Sequence, residues 1–86
     1  MTHRASVKFW RFYDRLPSEI QKQADAAYTL LRTDGRHPSL HLKKVGRLWS
    51  ARVGIHYRAV AVEDDGNLVW FWIGHHSEYD HLIASR

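Results

Sequence analysis

Residues 74–80 of this chain read Gly-His-His-Ser-Glu-Tyr-Asp, so two imidazoles, a phenol and two carboxylates fall within one short span. They follow directly on Leu68-Val69-Trp70-Phe71-Trp72-Ile73, whose β-branched and aromatic composition reads as a strand buried on both faces. A buried strand fixes the backbone under the groups at its end, which is what proton transfer requires. Of the side chains present, histidine is the one that as a type exchanges its proton near neutral pH. His76, just past the strand and followed by Tyr79, is the candidate acid or base, with His75 as the alternative position. Basic residues on the preceding strands supply the complementary chemistry. Period-two alternation lets Arg52 and Arg58 project from one face across a tight hairpin, and Lys43 and Lys44 lie on the strand before them. Guanidinium and ammonium groups gathered there suit a phosphate.

The elements that must position these groups follow from periodicity and punctuation. Residues 1–4 read as a frayed end. Over residues 5–16 the apolar positions Val7, Phe9, Trp10, Phe12, Tyr13 and Leu16 recur at helical spacing, with Arg4, Lys8, Arg11 and Arg15 largely opposite. Aromatic residues also suit strands, so a short N-terminal strand stays open. Pro17, or a capping box from Ser18 to Gln21, opens a second helix whose stripe is Ile20, Ala24, Ala27, Tyr28 and Leu31; Asp34-Gly35 stops it. Pro38 keeps His37 out of helical conformation. Strands are then expected at 41–45, 48–54, from 55 or 56 to 63, and 68–74, with a hairpin turn at Asp64-Asp65-Gly66-Asn67. Connections this short allow only antiparallel neighbours. The expected class is α+β: an N-terminal helical hairpin packed on a four-stranded antiparallel sheet, with a short C-terminal helix at 77–84 capped by Ser77.

Composition narrows the partners. Lys and Arg number 13 against 9 Asp and Glu, giving a formal net charge of +4 and a pI near 9.8. That balance favours an anionic partner such as nucleic acid, a ribosome or an acidic protein. There is no cysteine and hence no disulfide or thiolate metal site. The 86 residues fit one domain, residues 1–86. Neither a signal peptide nor an apolar run of roughly 20 residues is evident, so the expectation is a cytoplasmic protein with no membrane association. The seven histidines do not form a recognised metal motif. Pro38 breaks any helical face shared by His37 and His41, and His75, His76 and His81 lack zinc-site spacing. His3 and His81 read as surface residues, and His37 and His41 as local caps.

The succession LPSEIQKQA in a helix, HPSLHLKKV, RVG, YRA and a closing WFWIGHHSEYD resembles the RelE/ParE superfamily of bacterial toxins from type II toxin-antitoxin systems, particularly its short HigB-like and RelE-like members. The resemblance spans residues 9–83 and is carried by the order of the motifs, the helix-helix-sheet layout and the basic charge. It implies a toxin neutralised by a cognate antitoxin. In RelE-like members the toxin enters the ribosomal A site and cleaves mRNA without metal; in ParE-like members it inhibits DNA gyrase. Family RNases place basic residues on the central strands and a histidine or arginine after the last. Arg58 of the Tyr57-Arg58 pair, Arg52, one of Lys43 and Lys44, and His76 match those positions. Many relatives carry a basic residue straight after the glycine-histidine pair and an aromatic further along. Here Ser77 and Glu78 intervene, so Tyr79 reads either as part of the site or as a core residue of the last helix.

For an RNA substrate the required parts are a base for the ribose 2′-hydroxyl, donors for the charge on the phosphate oxygens and an acid for the leaving 5′-oxygen. Arg52 and Arg58 suit the phosphate, Lys43 or Lys44 the phosphate or neighbouring RNA, His76 the proton transfer, and Tyr79 stacking or proton relay. Gyrase inhibition and a non-catalytic binding module remain the alternatives, and neither needs an acid/base group. No cofactor is expected. Cleavage should accordingly run at full rate after chelator treatment, once the ribosome's own magnesium requirement is met; activity restored only by zinc or manganese would overturn the metal-free mechanism.

Overall fold

The computed structural model describes residues 2–84. In chain order it comprises β1 (His3–Ala5), α1 (Val7–Asp14), α2 (Ser18–Thr33), a 3-10 turn (Pro38–Leu40), β2 (Lys43–Val45), β3 (Leu48–Val53), β4 (Tyr57–Asp64), β5 (Asn67–His75) and α3 (His76–Ala84). The strands form one sheet in the order β1-β5-β4-β3-β2, with β1 parallel to β5 and the other pairs antiparallel. The α+β class and the helical hairpin are as expected, but the sheet is mixed and has five strands, not four.

The extra strand comes from residues expected to fray. Three residues are too few to show a period, and their partners lie at the far end of the chain: His3 pairs with Leu68 and Ala5 with Trp70. Backbone bonds extend the pairing at both ends, from Leu68 N–H to Thr2 O at 2.9 Å and from Ser6 N–H to Trp70 O at 2.9 Å. His3 is correspondingly not a surface residue. Its ring stacks on Trp70 and its Nδ1 accepts from the indole N–H at 3.2 Å, while burial lowers its pKa from the ordinary histidine value.

Ser6 caps α1 by accepting from Phe9 N–H at 3.3 Å, which sets the helix start after β1 has been used. The second helix opens at Pro17-Ser18, the first of the two starts the sequence allows; the alternative, a capping box from Ser18 to Gln21, does not form. Gln21 instead donates from Nε2 to Tyr13 O at 3.0 Å and ties the two helices together. Tyr13 adds a hydroxyl donation to Asp25 at 2.8 Å, and that bond raises the phenol's pKa. Between β4 and β5, Asp65 and Gly66 both adopt positive φ, at 53° and 81°, the pair that a two-residue hairpin matching the strand twist requires.

Two apolar clusters lie on opposite faces of the sheet. The larger joins Ala24, Leu31 and Leu40 to Ala51, Val53, Ala59, Ala61, Leu68, Trp70 and Ile73, with Phe9 and Phe12 of α1 against it. The smaller joins Val60, Trp72 and Tyr79 beneath α3. Strict alternation would place Trp70 and Trp72 together, yet they occupy different clusters. The reason is a β-bulge: Ala61 pairs with Trp70 and Val60 with Trp72, leaving Phe71 as the extra residue on β5. Among the described residues no helix is long and apolar enough to cross a membrane.

Ile73 is 2% exposed in the larger cluster, whereas Val62 on the neighbouring strand is 39% exposed. Ile73→Ala should therefore cost about 2–5 kcal/mol in urea or thermal unfolding, and Val62→Ala under about 1 kcal/mol. Equal effects would show that the bulge and the faces it sets are misplaced.

Candidate active site

The register decides which basic residues share a face, because residues directly opposite in an antiparallel pair project to the same side. Lys43 pairs with Ser50, Arg52 with Arg58, and Arg58 with Gly74. Lys43, Arg52 and Arg58 therefore lie on the α3 side of the sheet. Lys44 pairs with Trp49, which packs toward α1 and α2, so it points away from the other three. Of the two lysines the sequence left open, Lys43 joins the arginines and Lys44 does not. None of these residues enters the ion pairs formed among the described residues, which link Arg4 to Asp64 and Lys22 to Glu19.

Arg58 is the most constrained member. Its guanidinium carbon lies 5.2 Å from the centroid of the Tyr79 ring, a cation–π arrangement. Tyr79 is itself 7% exposed, and its hydroxyl donates at 3.3 Å to the Oγ of the fully buried Ser50. Tyr79 is thus a core residue of α3, the second of the readings its sequence position allowed, and it also seats Arg58. Across the strand pair stands Gly74, where a side chain would place its Cβ 2.6 Å from Trp72 Cζ2; glycine here lets the indole lie flat beneath the site. Arg58 Nη1 is buried and has no hydrogen-bond partner among the described residues. A desolvated, charged donor without an acceptor is costly, and an anionic oxygen would satisfy it.

Arg52 is held differently. Its Nε donates to Gly54 O at 2.9 Å, and its Nη1 lies 3.3 Å from His41 Nε2, which must accept because a guanidinium only donates. His41, expected only to cap locally, therefore touches the site. It is reached through a left-handed backbone conformation at the end of the 3-10 turn, with φ of 45°. His37 does behave as a local cap, accepting from Ser39 N–H at 3.2 Å.

The two histidines at the junction of β5 and α3 take different jobs. The last helix begins at His76, not Ser77, and the capping is reversed from expectation: His75 Nδ1 accepts from Ser77 N–H at 3.2 Å. His76 is exposed, and its backbone N–H donates to His56 O at 2.8 Å. That bond and the Tyr57–His75 pairing bring the turn before β4 alongside the end of β5. His56 thereby meets both histidines, with ring centroids 6.0 Å from each, while His75 and His76 lie 4.4 Å apart. Nothing in the spacing of His56 along the chain signals this, since its neighbours are brought to it by strand register. The one available hint was its place directly before the Tyr57-Arg58 pair.

Residues 18–81 match the family model described as a ParE-like toxin domain. Among solved structures, the chain is similar to one from the RelB-RelE antitoxin-toxin complex of Methanococcus jannaschii, with a TM-score of 0.70 and 18% identity over 91% of this chain and 96% of that one. A chain of the RelBE2 toxin-antitoxin complex of Mycobacterium tuberculosis is 26% identical at a TM-score of 0.59, covering 86% of this chain and 95% of that one. YafQ from Escherichia coli strain BL21(DE3) gives a TM-score of 0.67 at 14% identity, over 90% and 94%. No curated protein matches the chain by sequence.

The two roles of Tyr79 separate on substitution. Tyr79→Phe keeps the ring under Arg58 and removes only the bond to Ser50, so it should cost about 1 kcal/mol in unfolding and leave the side-chain NMR resonances of Arg58 near wild type. Tyr79→Ala removes the seat as well and should change both further. Shifted Arg58 resonances in a folded Tyr79→Phe protein would instead make the hydroxyl part of the seat.

Proposed function

The chain belongs to the ParE-like toxin domain family of the RelE/ParE superfamily, and from that premise we propose that it is the toxin of a toxin-antitoxin module, a metal-independent endoribonuclease that cleaves mRNA on the ribosome. The observation that carries this reading is Arg58, whose buried Nη1 has no hydrogen-bond partner among the described residues, on a face it shares with Arg52 and Lys43. Such a donor gains its acceptor when a phosphate oxygen arrives, and gains most as that oxygen acquires charge in the transition state. Arg52 and Lys43 hold the backbone beside it. His76, exposed just beyond the buried strand, exchanges the proton of the 2′-hydroxyl or of the leaving 5′-oxygen, while His75 is occupied in capping α3. Tyr79 acts through Arg58, which it positions, and Lys44 contributes to the general positive field from the other face.

The partner in this reading is a cognate antitoxin whose acidic segment covers Lys43, Arg52 and Arg58, ordering as it binds. The RelB-RelE and RelBE2 neighbours are antitoxin-toxin complexes by description, which supports such a partner here. A second reading, inhibition of DNA gyrase, is favoured by the ParE-like description of the matching family. It leaves the proton-transfer group and the unpaired Arg58 donor without work to do.

Arg58→Ala or His76→Ala should lower single-turnover cleavage on programmed ribosomes by about 10²–10⁴-fold, with little change in melting temperature. Ribosome affinity should fall far less, because it is spread over many basic contacts. Wild-type cleavage by either folded variant would remove that residue from the chemistry. Growth arrest that tracks loss of supercoiling by gyrase, with mRNA intact, would move the protein to the second reading.

A further inference from the structure

His56, His75 and His76 each present a ring nitrogen such that the three atoms lie within 4.8 Å of one another. The residues come from two places in the chain, the turn before β4 and the junction of β5 with α3, and are clamped together by the His76 N–H bond to His56 O at 2.8 Å and by the Tyr57–His75 pair. Among the described residues, the rings of His56 and His76 stack only on other imidazoles. Tetrahedral coordination at about 2.0–2.1 Å puts ligand nitrogens about 3.3 Å apart. Closing from 4.8 Å to that separation asks only for side-chain rotation, which the exposure of His56 and His76 permits. Metal binding through His75 Nε2 would move the ring proton to Nδ1, which would give up the Ser77 N–H it now accepts and donate instead to Ser77 Oγ, 3.0 Å away.

We propose that these three histidines form a binding site for a transition-metal dication of the zinc, nickel or cobalt class, and that occupancy shuts off the toxin. Three neutral nitrogen donors select that class over magnesium or calcium, which take oxygen ligands. The site is regulatory, not catalytic. The metal engages the lone pair on the His76 ring that proton transfer needs. The silencing half of the proposal rests on His76 serving as acid or base in RNA cleavage; the binding half rests on the geometry alone. The chelator-treated chain is accordingly the active form.

The test uses the full chain without a histidine tag, titrated with Co²⁺ by visible absorption and with Zn²⁺ by calorimetry. The expected result is one equivalent bound, weakened at least about tenfold in His56→Gln and in His75→Gln and unchanged in the control His37→Gln. Amide-resolved NMR with Zn²⁺ locates the ion independently of any folding defect in the variants. On programmed ribosomes with magnesium held constant, Zn²⁺ should suppress cleavage by wild type, whereas cleavage by His56→Gln, measured against that variant's own metal-free rate, should ignore added zinc. No binding, or binding that survives both substitutions, overturns the site. Binding with cleavage undiminished, or equal inhibition of His56→Gln, overturns the regulation. A chain that binds zinc as described yet never cuts mRNA leaves the site standing and refutes the nuclease reading, so the two failures are distinguishable.

Discussion

The bulge at Phe71 is the constraint on which both faces of this molecule depend. By inserting one residue between the Trp70–Ala61 and Trp72–Val60 pairs, it turns the second half of β5 over relative to the first. Trp70 and Ile73 then close the core under α1 and α2, while Trp72 is released to the opposite face, where α3 brings Tyr79 onto it. An unbroken alternation would put both indoles under the helical hairpin and leave α3 with little apolar surface to rest on. Arg58 would then lose its seat, because that seat is the ring of Tyr79. A single unpaired backbone position therefore links the sheet's stability to the geometry of its basic face.

That face is arranged at a thermodynamic disadvantage. Three cations share one side of a small sheet and, among the described residues, no carboxylate pairs with them and one guanidinium nitrogen is shielded from water without a partner. Like charges held together and a donor left unsatisfied both destabilise the folded chain. The compensation is local and rigid: the cation–π contact under Arg58, the Tyr79–Ser50 bond below that, and the Arg52 bond to Gly54 O. A bound anion would relieve the repulsion and supply the missing bond together.

Much of the architecture was legible because it is local. The stripe from Ile20 to Leu31, the alternation around Ala51 and Val53, and the Asp65-Gly66 turn are each encoded within a few residues and appear where expected. What escaped is whatever depends on pairing across the chain. The strand at His3–Ala5 exists only because residues 68–70 offer an edge to it, and the bulge at Phe71 has no glycine to announce it. The choice between Lys43 and Lys44 turns on which of them faces Ser50. At the candidate site, Arg52, Arg58 and His76 were visible as residue types, and the register puts the two arginines directly opposite each other. His41 and His56 were not, since each is delivered by a turn whose direction is set by neighbours distant in sequence.

The position of β5 in the sheet also has a consequence for how the protein is made. It is the last strand to leave the ribosome, yet in space it lies between β1 and β4, and α1 packs against it. β1 and α1 therefore wait for their partner strand while β2, β3 and β4 can already form their meander. Only when residues 67–75 arrive do that strand and helix find their places, and only then does α3 follow with Tyr79 and His76. Until residues 67–84 have emerged, a growing chain holds Arg58 without the ring that seats it and without a closed core.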